Sequence, residues 1–307
     1  MGALLALASA LFYGLADYAG GLLSRRVDFT AVALAGQLGG LVLTLVAAPL
    51  VPAPAPAGTD LAWGALSGAG TGAGMLFLYR GLSRGAMSVV VPVSAVGGVA
   101  LPVLVGVALL GDRPSPLSWL GIVVAVPALW CVSRTPSAPA SASGVGTASG
   151  VGTEPGVGAG DGPGAGDGSG AVVDGLVAGL GIALQYVALA QAGPGSGIWP
   201  VVVGRVAAAC TILPPAVRAV RSGRSRLRLP VRLAGAAAAT GGAAALALVC
   251  YLLATRAQLV VVAVVLSSLY PAIPVLLGVT ALRERLRPVQ TAGLAGAGAA
   301  IVLLTLN

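Results

Sequence analysis

Hydrophobic positions dominate the chain in long uninterrupted runs, broken by short clusters of Pro, Gly, Ser and charged residues. Ten such runs are read, at 2–23, 30–50, 61–80, 86–110, 117–133, 171–192, 197–217, 233–254, 258–282 and 289–306. Each is roughly 18 to 25 residues, long enough as a helix to cross about 30 Å of hydrocarbon. In lipid the backbone must satisfy its own hydrogen bonds within the segment, so the runs predict helices rather than isolated strands. Trp63, Trp119, Trp130 and Trp199 all fall near run ends, where an interfacial aromatic belt places them. The expected class is an all-α, multi-pass integral membrane protein of ten transmembrane helices, carried in the cell (plasma or inner) membrane.

One stretch breaks the pattern. Residues 134–170 are Gly, Ala, Ser and Pro with scattered acids and no large apolar side chain. Such a composition cannot bury enough surface to offset its ordering entropy, so it reads as a flexible linker. It divides the chain into units at 1–133 and 171–307, with five spans each. The units are related: with an offset of 172 positions, Leu61–Gly121 lies on Leu233–Gly293 without a gap. Tyr79/Tyr251, Arg84/Arg256, Pro102/Pro274, Gly106/Gly278, Arg113/Arg285, Pro116/Pro288 and Gly121/Gly293 are identical, and Asp112 meets Glu284. An ordered set of Pro, Gly, Arg and acid is far harder to produce by chance than matching Leu or Val. Five spans is an odd number, so the second unit must enter the membrane upside down. Inverted repeats of this kind are a common plan of secondary transporters.

Charge sharpens this picture. Only 8% of the 307 residues are charged and 57% are hydrophobic, against about a quarter charged in a soluble domain. The formal charge is +8 and every basic residue is Arg. These arginines sit mainly at span ends rather than on a basic face interleaved with aromatics, so no nucleic-acid partner is expected. The chain has no His, which excludes His-dependent triads, haem with His ligation and most zinc sites. Cys131, Cys210 and Cys250 lie far apart within apolar runs, without metal-ligand spacing. No metal or other cofactor is expected, and the expected partners are the lipid bilayer and a small-molecule substrate. The run GAGTGAG at 68–74 lacks the GK[ST] ending of a phosphate loop; its Gly68/Gly72 and Gly70/Gly74 spacings suit close helix packing instead.

Two segments carry a family resemblance. PVLVGVALLGDRPSPLSWLG from Pro102 and PVLLGVTALRERLRPVQTAG from Pro274 both give a proline, small residues, then an acidic-basic turn before a closing helix. The chain resembles the drug/metabolite transporter superfamily in its EamA-type members, over both halves and excluding the linker. Gly204-Arg205 resembles the family's Arg in the second helix of a repeat, and Gly36-Gln37 stands at the matching place in the first. Asp112 stands where the family usually has Glu. The resemblance implies two inverted five-helix repeats around a central cavity, transport of metabolites without ATP, and cytoplasmic termini.

Ionisable groups inside spans are costly, and each is a functional candidate. Asp17, with Tyr13 one turn before it, is the carboxylate placed to exchange protons at membrane depth. It reads either as a coupling group, making protons a candidate partner, or as a structural partner of Arg205, Arg25 or Arg26. Arg205 reads as a pin between the repeats, with binding of an anionic substrate group as the alternative. Pro92, Pro102, Pro271 and Pro274 remove backbone donors in spans four and nine, and freed carbonyls in transporters often line a cavity. Near these kinks Ser94, Ser267, Ser268 and Tyr270 are substrate candidates, joined by Gln37, Gln185 and Tyr186. Asp112 with Arg113, and Glu284 with Arg285, read as turn ion pairs or helix-start acids.

The function these features predict is secondary active transport of a small metabolite or drug-like solute by alternating access, not enzymic catalysis. The alternatives are a polytopic membrane enzyme, a channel or a non-transporting scaffold, in a monomer or homodimer. The positive-inside rule and the family expectation disagree on orientation. Arg25, Arg26, Arg80, Arg84, the 218–232 group, Arg283, Arg285 and Arg287 all fall on one side of the span map. Following that bias, both termini lie outside. A phosphatase reporter that folds only outside the cytoplasm, fused after Asn307, is therefore expected to be active. Activity of a cytoplasm-only reporter at that position would reverse the assignment.

Overall fold

The computed structural model describes residues 1–24, 26–83, 87–133, 167–223, 227, 229–273, 276 and 288–306. Every regular element among them is helical. The helices are α1 (Gly2–Ser24), α2 (Phe29–Ala47), α3 (Gly58–Ser83), α4 (Met87–Ala108) and α5 (Pro116–Ser133), then α6 (Asp167–Ala190), α7 (Trp199–Arg221), α8 (Val231–Thr255), α9 (Val260–Ser267) and α10 (Pro288–Thr305). Seven of them, all but α4, α5 and α9, are long and apolar enough to cross a membrane; α4 and α5 hold shorter apolar stretches at Val93–Ala108 and Pro116–Val132. Large apolar side chains such as Leu38, Val42, Leu104, Val123 and Leu180 are exposed on the outer surface. A bare face of that kind belongs in lipid rather than water. The protein is a multi-pass integral membrane protein.

Two boundaries differ from the sequence expectation. Helix α6 begins at Asp167, inside the segment read as linker, whose other residues 134–166 lie outside the described set. Span nine was expected to run unbroken from 258 to 282. Instead α9 stops at Ser267 and the chain turns through 268–271. Pro271 accounts for the stop: its ring collides with the carbonyl four residues back, which is Ser267, and disfavours helical backbone at Tyr270. Helix α4, by contrast, runs continuously through Pro92 and Pro102. Pro274, Glu284 and Arg285 lie outside the described residues.

The helices pack mainly on helices of the other half of the chain. Helix α3 lies on α6 and α7, and α8 lies on α1 and α2; α4 lies on α6, and α9 on α1; α2 meets α7, and α5 meets α10. Without a hydrophobic force between helices in lipid, such contacts depend on small residues that let backbones approach. A methyl group added to Gly68 would lie 2.0 Å from the Gly204 carbonyl oxygen, and one on Gly241 would lie 1.8 Å from that of Gly36. The two glycine spacings in GAGTGAG divide their work: Gly68 and Gly72 face α7, whereas Gly70 and Gly74 face α6. The α5–α10 seam repeats the device, with Gly121 against Leu304 and Gly293 against Val132.

One end of the bundle is tied shut by contacts between loops and helix ends. Arg256, just past α8, donates through Nη2 to the carbonyls of Gly193 (3.0 Å) and Gly197 (2.8 Å). Asp60 at the start of α3 accepts from the Gly193 N–H (2.9 Å). Asp112 accepts from the Val261 N–H at the start of α9 (2.8 Å). Asp112 thus serves as a helix-start acid, but for α9 rather than for the helix that follows it, and it forms no ion pair with Arg113. Below these ties lies the main apolar core, built around Val99, Leu189, Leu248, Leu252, Val264 and Leu266.

Gly241→Val is expected to lower the melting temperature in detergent sharply or to prevent folding, since the new side chain must displace backbone at a cost of at least about 1–3 kcal/mol. Gly298→Ala, where an added methyl meets nothing within 4 Å, is expected to be neutral or to stabilise by about 0.5–1 kcal/mol through helix propensity.

Candidate functional site

A cavity runs from the middle of the bundle toward the end opposite the ties. It holds about 980 Å³ of empty space, counting its open mouth. Helices α1, α2, α3, α6, α7 and α8 and the turn after α9 contribute its wall. The glycine crossings position it: Gly36 and Gly204 each bring a helix to backbone contact, and the next residue of each, Gln37 and Arg205, turns into the cavity.

Arg205 is 3% exposed. Its Nη1 donates to Gln37 Oε1 (3.1 Å) and its Nη2 to the Ala244 carbonyl of α8 (3.1 Å), while Nε has no acceptor. The guanidinium therefore joins α7 to both α2 and α8. Among the described residues no carboxylate lies within 4 Å of it. Gln37 is held in turn, with its Nε2 3.6 Å from Met75 Sδ. Asp17 also lines the cavity and is exposed to it, and it makes no hydrogen bond or ion pair among the described residues. The structural reading in which Asp17 pairs with Arg205 does not hold in this structure. Among the described residues the cavity carries one acid and one base, which do not neutralise each other.

A second chain of hydrogen bonds crosses between the halves. Thr71 Oγ1 donates to Gln185 Oε1 (2.6 Å), and Gln185 Nε2 donates to Tyr13 Oη (2.8 Å). Ser67 Oγ donates to the Gln185 carbonyl (2.9 Å), fixing the same turn of α6. Tyr13 stands at the hub of an aromatic group, 6.5 Å between ring centres from Tyr186 and 5.9 Å from Tyr270. Tyr186 packs at 4.7 Å on Tyr251, whose hydroxyl donates to the Tyr186 carbonyl (2.9 Å). Tyr13, Tyr186 and Tyr270 line the cavity, and Tyr186 and Tyr251 belong to the apolar core that continues beyond it. Gly14 lets α1 approach the turn after α9, since a methyl there would lie 2.7 Å from the Tyr270 carbonyl oxygen.

Of the residues singled out in the sequence, Tyr13, Asp17, Gln37, Gln185, Tyr186, Arg205 and Tyr270 line this one cavity. Ser94, Ser267 and Ser268 are buried but do not line it. Ser267 Oγ donates to the Ala6 carbonyl (3.3 Å), an ordinary interhelical bond. Thr71, Met75 and Thr240 line the cavity and were missed; Thr71 is the only polar residue in GAGTGAG, which was the available signal. Also missed was Asp174 in α6, fully buried and paired with Arg80 of α3. Its place near a run end hid it, because the acid reads as interfacial until its cation partner is known.

A family model, that of the EamA-like transporter family, matches residues 1–134. That match covers somewhat less than half of the 307 residues. Fourteen chains of solved structures are also similar to this one. One, described only as the crystal structure of a protein, superposes with a TM-score of 0.60 over 99% of this chain and 96% of its own, at 18% identity. At that identity the likeness speaks for the fold alone. No curated protein matches the chain. The chain is a multi-pass membrane protein whose first 134 residues are similar to EamA-like transporters.

Arg205→Gln is expected to lower the melting temperature of the bundle, with a loss on the order of 1–3 kcal/mol for stranding Gln37 and the Ala244 carbonyl. Unchanged melting with loss of solute binding would instead make Arg205 a substrate contact.

Proposed function

We propose that the protein is a secondary active transporter that moves a small metabolite or drug-like solute by alternating access, with proton exchange at Asp17. The observation that carries this reading is the cavity itself. It lies between the two halves of the chain, is shut at one end by Arg256, Asp60 and Asp112, and is lined by an acid and a base that are not paired. A carboxylate exposed to such a cavity can bind a proton from one side and release it to the other without breaking a structural bond.

The proposal includes the architecture. Residues 1–133 and 171–307 are taken as two five-helix repeats of opposite orientation, joined by the Gly-rich segment and crossing the cell membrane ten times in all. Several features support it. The 172-residue offset carries α5 onto α10 end for end and α3 onto α8 within one residue. The packing pairs exchange under it: α3 on α6 and α7 answers α8 on α1 and α2. Tyr13 and Gln185, which are hydrogen-bonded, are 172 positions apart. The hydrogen-bonded pair Gln37 and Arg205 follow the two crossing glycines. Residues that meet their own counterparts are the expected signature of a pseudo-two-fold axis.

By the positive-inside rule the cavity mouth then faces the cytoplasm, because Arg26, Arg80, Arg218, Arg221 and Arg232 occupy the end to which it leads. Purified protein in vesicles is expected to show saturable counterflow of at least one compound in a pooled metabolite panel. An imposed pH gradient is expected to drive its net accumulation. Asp17→Asn is expected to abolish the gradient-driven accumulation, by at least about tenfold, while leaving equilibrium exchange measurable. Gradient-driven uptake of normal rate and pH dependence in Asp17→Asn would remove Asp17 from the mechanism.

A further inference from the structure

Outside the central cavity, the surface of α8 is flanked by two grooves. Its sequence AGAAAATGGAAA (234–245) presents mostly hydrogens and methyl groups, so neighbouring helices that carry leucines stand proud of it. The groove between α2 and α8 is walled by Leu38, Val42 and Val46 opposite Ala238 and Ala243, and no charged residue lines it among the described residues. The groove between α1 and α8 is walled by Leu15, Ala19 and Leu22 opposite Ala236, Ala239 and Ala243, and it ends at Arg26. It holds about 1190 Å³ of empty space, counting its open side.

We propose that the α1–α8 groove binds one anionic glycerophospholipid from the leaflet at the arginine-bearing end, with an acyl chain in the groove and the headgroup phosphate on Arg26. Three observations fix the occupant. The walls are apolar and face the hydrocarbon, so a lipid chain fills the space that rigid helices leave. The depth is right: from Leu15 to the end of α1 at Ser24 is about 14 Å at 1.5 Å per residue, close to half of the roughly 30 Å core, and Arg26 lies two residues beyond that end. The charge is complementary. Arg26 is exposed and its guanidinium makes no hydrogen bond or ion pair among the described residues, so it is free to bind a phosphate at headgroup level. The α2–α8 groove has the same apolar character without the cation, and so serves as an internal comparison.

The test uses the full chain with Cys131, Cys210 and Cys250 changed to Ala and a bimane fluorophore on Leu22→Cys or Val42→Cys, one reporter in each groove. The proteins are reconstituted in phosphatidylcholine vesicles containing increasing fractions of phosphatidylglycerol or phosphatidylcholine with dibrominated chains, which quench on contact. At Leu22, brominated phosphatidylglycerol is expected to quench at about one-fifth the fraction needed with phosphatidylcholine, the effect of one arginine at the surface. The preference is expected to vanish in Arg26→Gln, to persist in Arg26→Lys, and to be absent at Val42. Arg26 is exposed, so its replacement removes no packing, and unchanged helical circular dichroism and a monodisperse elution profile confirm that each variant is folded. Equal quenching by the two lipids at Leu22, a preference that survives Arg26→Gln, or the same preference at Val42 would overturn the proposal.

Discussion

Backbone contact between helices at bare glycines is the constraint on which the rest of the structure depends. In lipid the apolar side chains gain nothing by leaving one hydrocarbon environment for another, so helices hold together through close packing and a few polar bonds. Here α3 crosses α7 at Gly68 and Gly204, and α8 crosses α2 at Gly241 and Gly36. Each crossing removes the room for a side chain and fixes the rotation of both helices. With the rotation fixed, the residues after Gly36 and Gly204 have one direction left to point, and Gln37 and Arg205 meet in the middle. The cavity is what remains between crossings that are tight and helix halves that diverge.

That geometry explains how a permanently charged side chain stays buried without a carboxylate. An arginine inside a bilayer needs acceptors more than it needs a formal counter-charge, because most of the cost is lost hydration. Gln37 supplies one acceptor from α2 and the Ala244 carbonyl another from α8, so a single guanidinium reports on two interfaces at once. The Arg205 Nε is enclosed, whereas the unpaired Asp17 carboxylate is open to the cavity. Polar capacity unspent on the fold is capacity available to a solute.

Most helices were legible in the sequence because apolar length alone decides them, and the break in α9 was not. Pro102 and Pro271 look alike in a hydropathy pattern, yet one is absorbed in a continuous helix and the other ends one. Which outcome prevails depends on whether neighbours satisfy the freed carbonyl, which is tertiary information. The cavity residues divide the same way. Asp17, Arg205 and Gln185 stand out as polar groups in apolar runs, so composition found them. Thr71 and Met75 are ordinary for a membrane helix and acquire a role only because Gly70 and Gly74 seat α3 against α6. The serines near the prolines lie off this cavity for the converse reason: polarity near a kink does not say which face of the helix meets it.

The ties at the closed end carry the argument from architecture to mechanism. Arg256 ties the end of α8 to the loop between α6 and α7 within the second half of the chain, whereas Asp112 receives the first turn of α9 and Asp60 the Gly193 N–H, both across the two halves. In the sequence repeat Arg256 corresponds to Arg84, and Asp112 to Glu284. Arg84 and Glu284 lie outside the described residues; the proposed inversion assigns that pair to the opposite end. Hydrogen bonds of this kind contribute only about 1 kcal/mol each in net terms, or somewhat more when charged. A few of them can hold one end shut without making that state irreversible. A solute that shifted a few kcal/mol of contact from one end to the other would suffice to exchange them. The closed end is therefore best understood as a set of small, separable bonds over a rigid glycine-packed frame. Under the proposed alternating access, that frame stays while the bonds at its ends exchange.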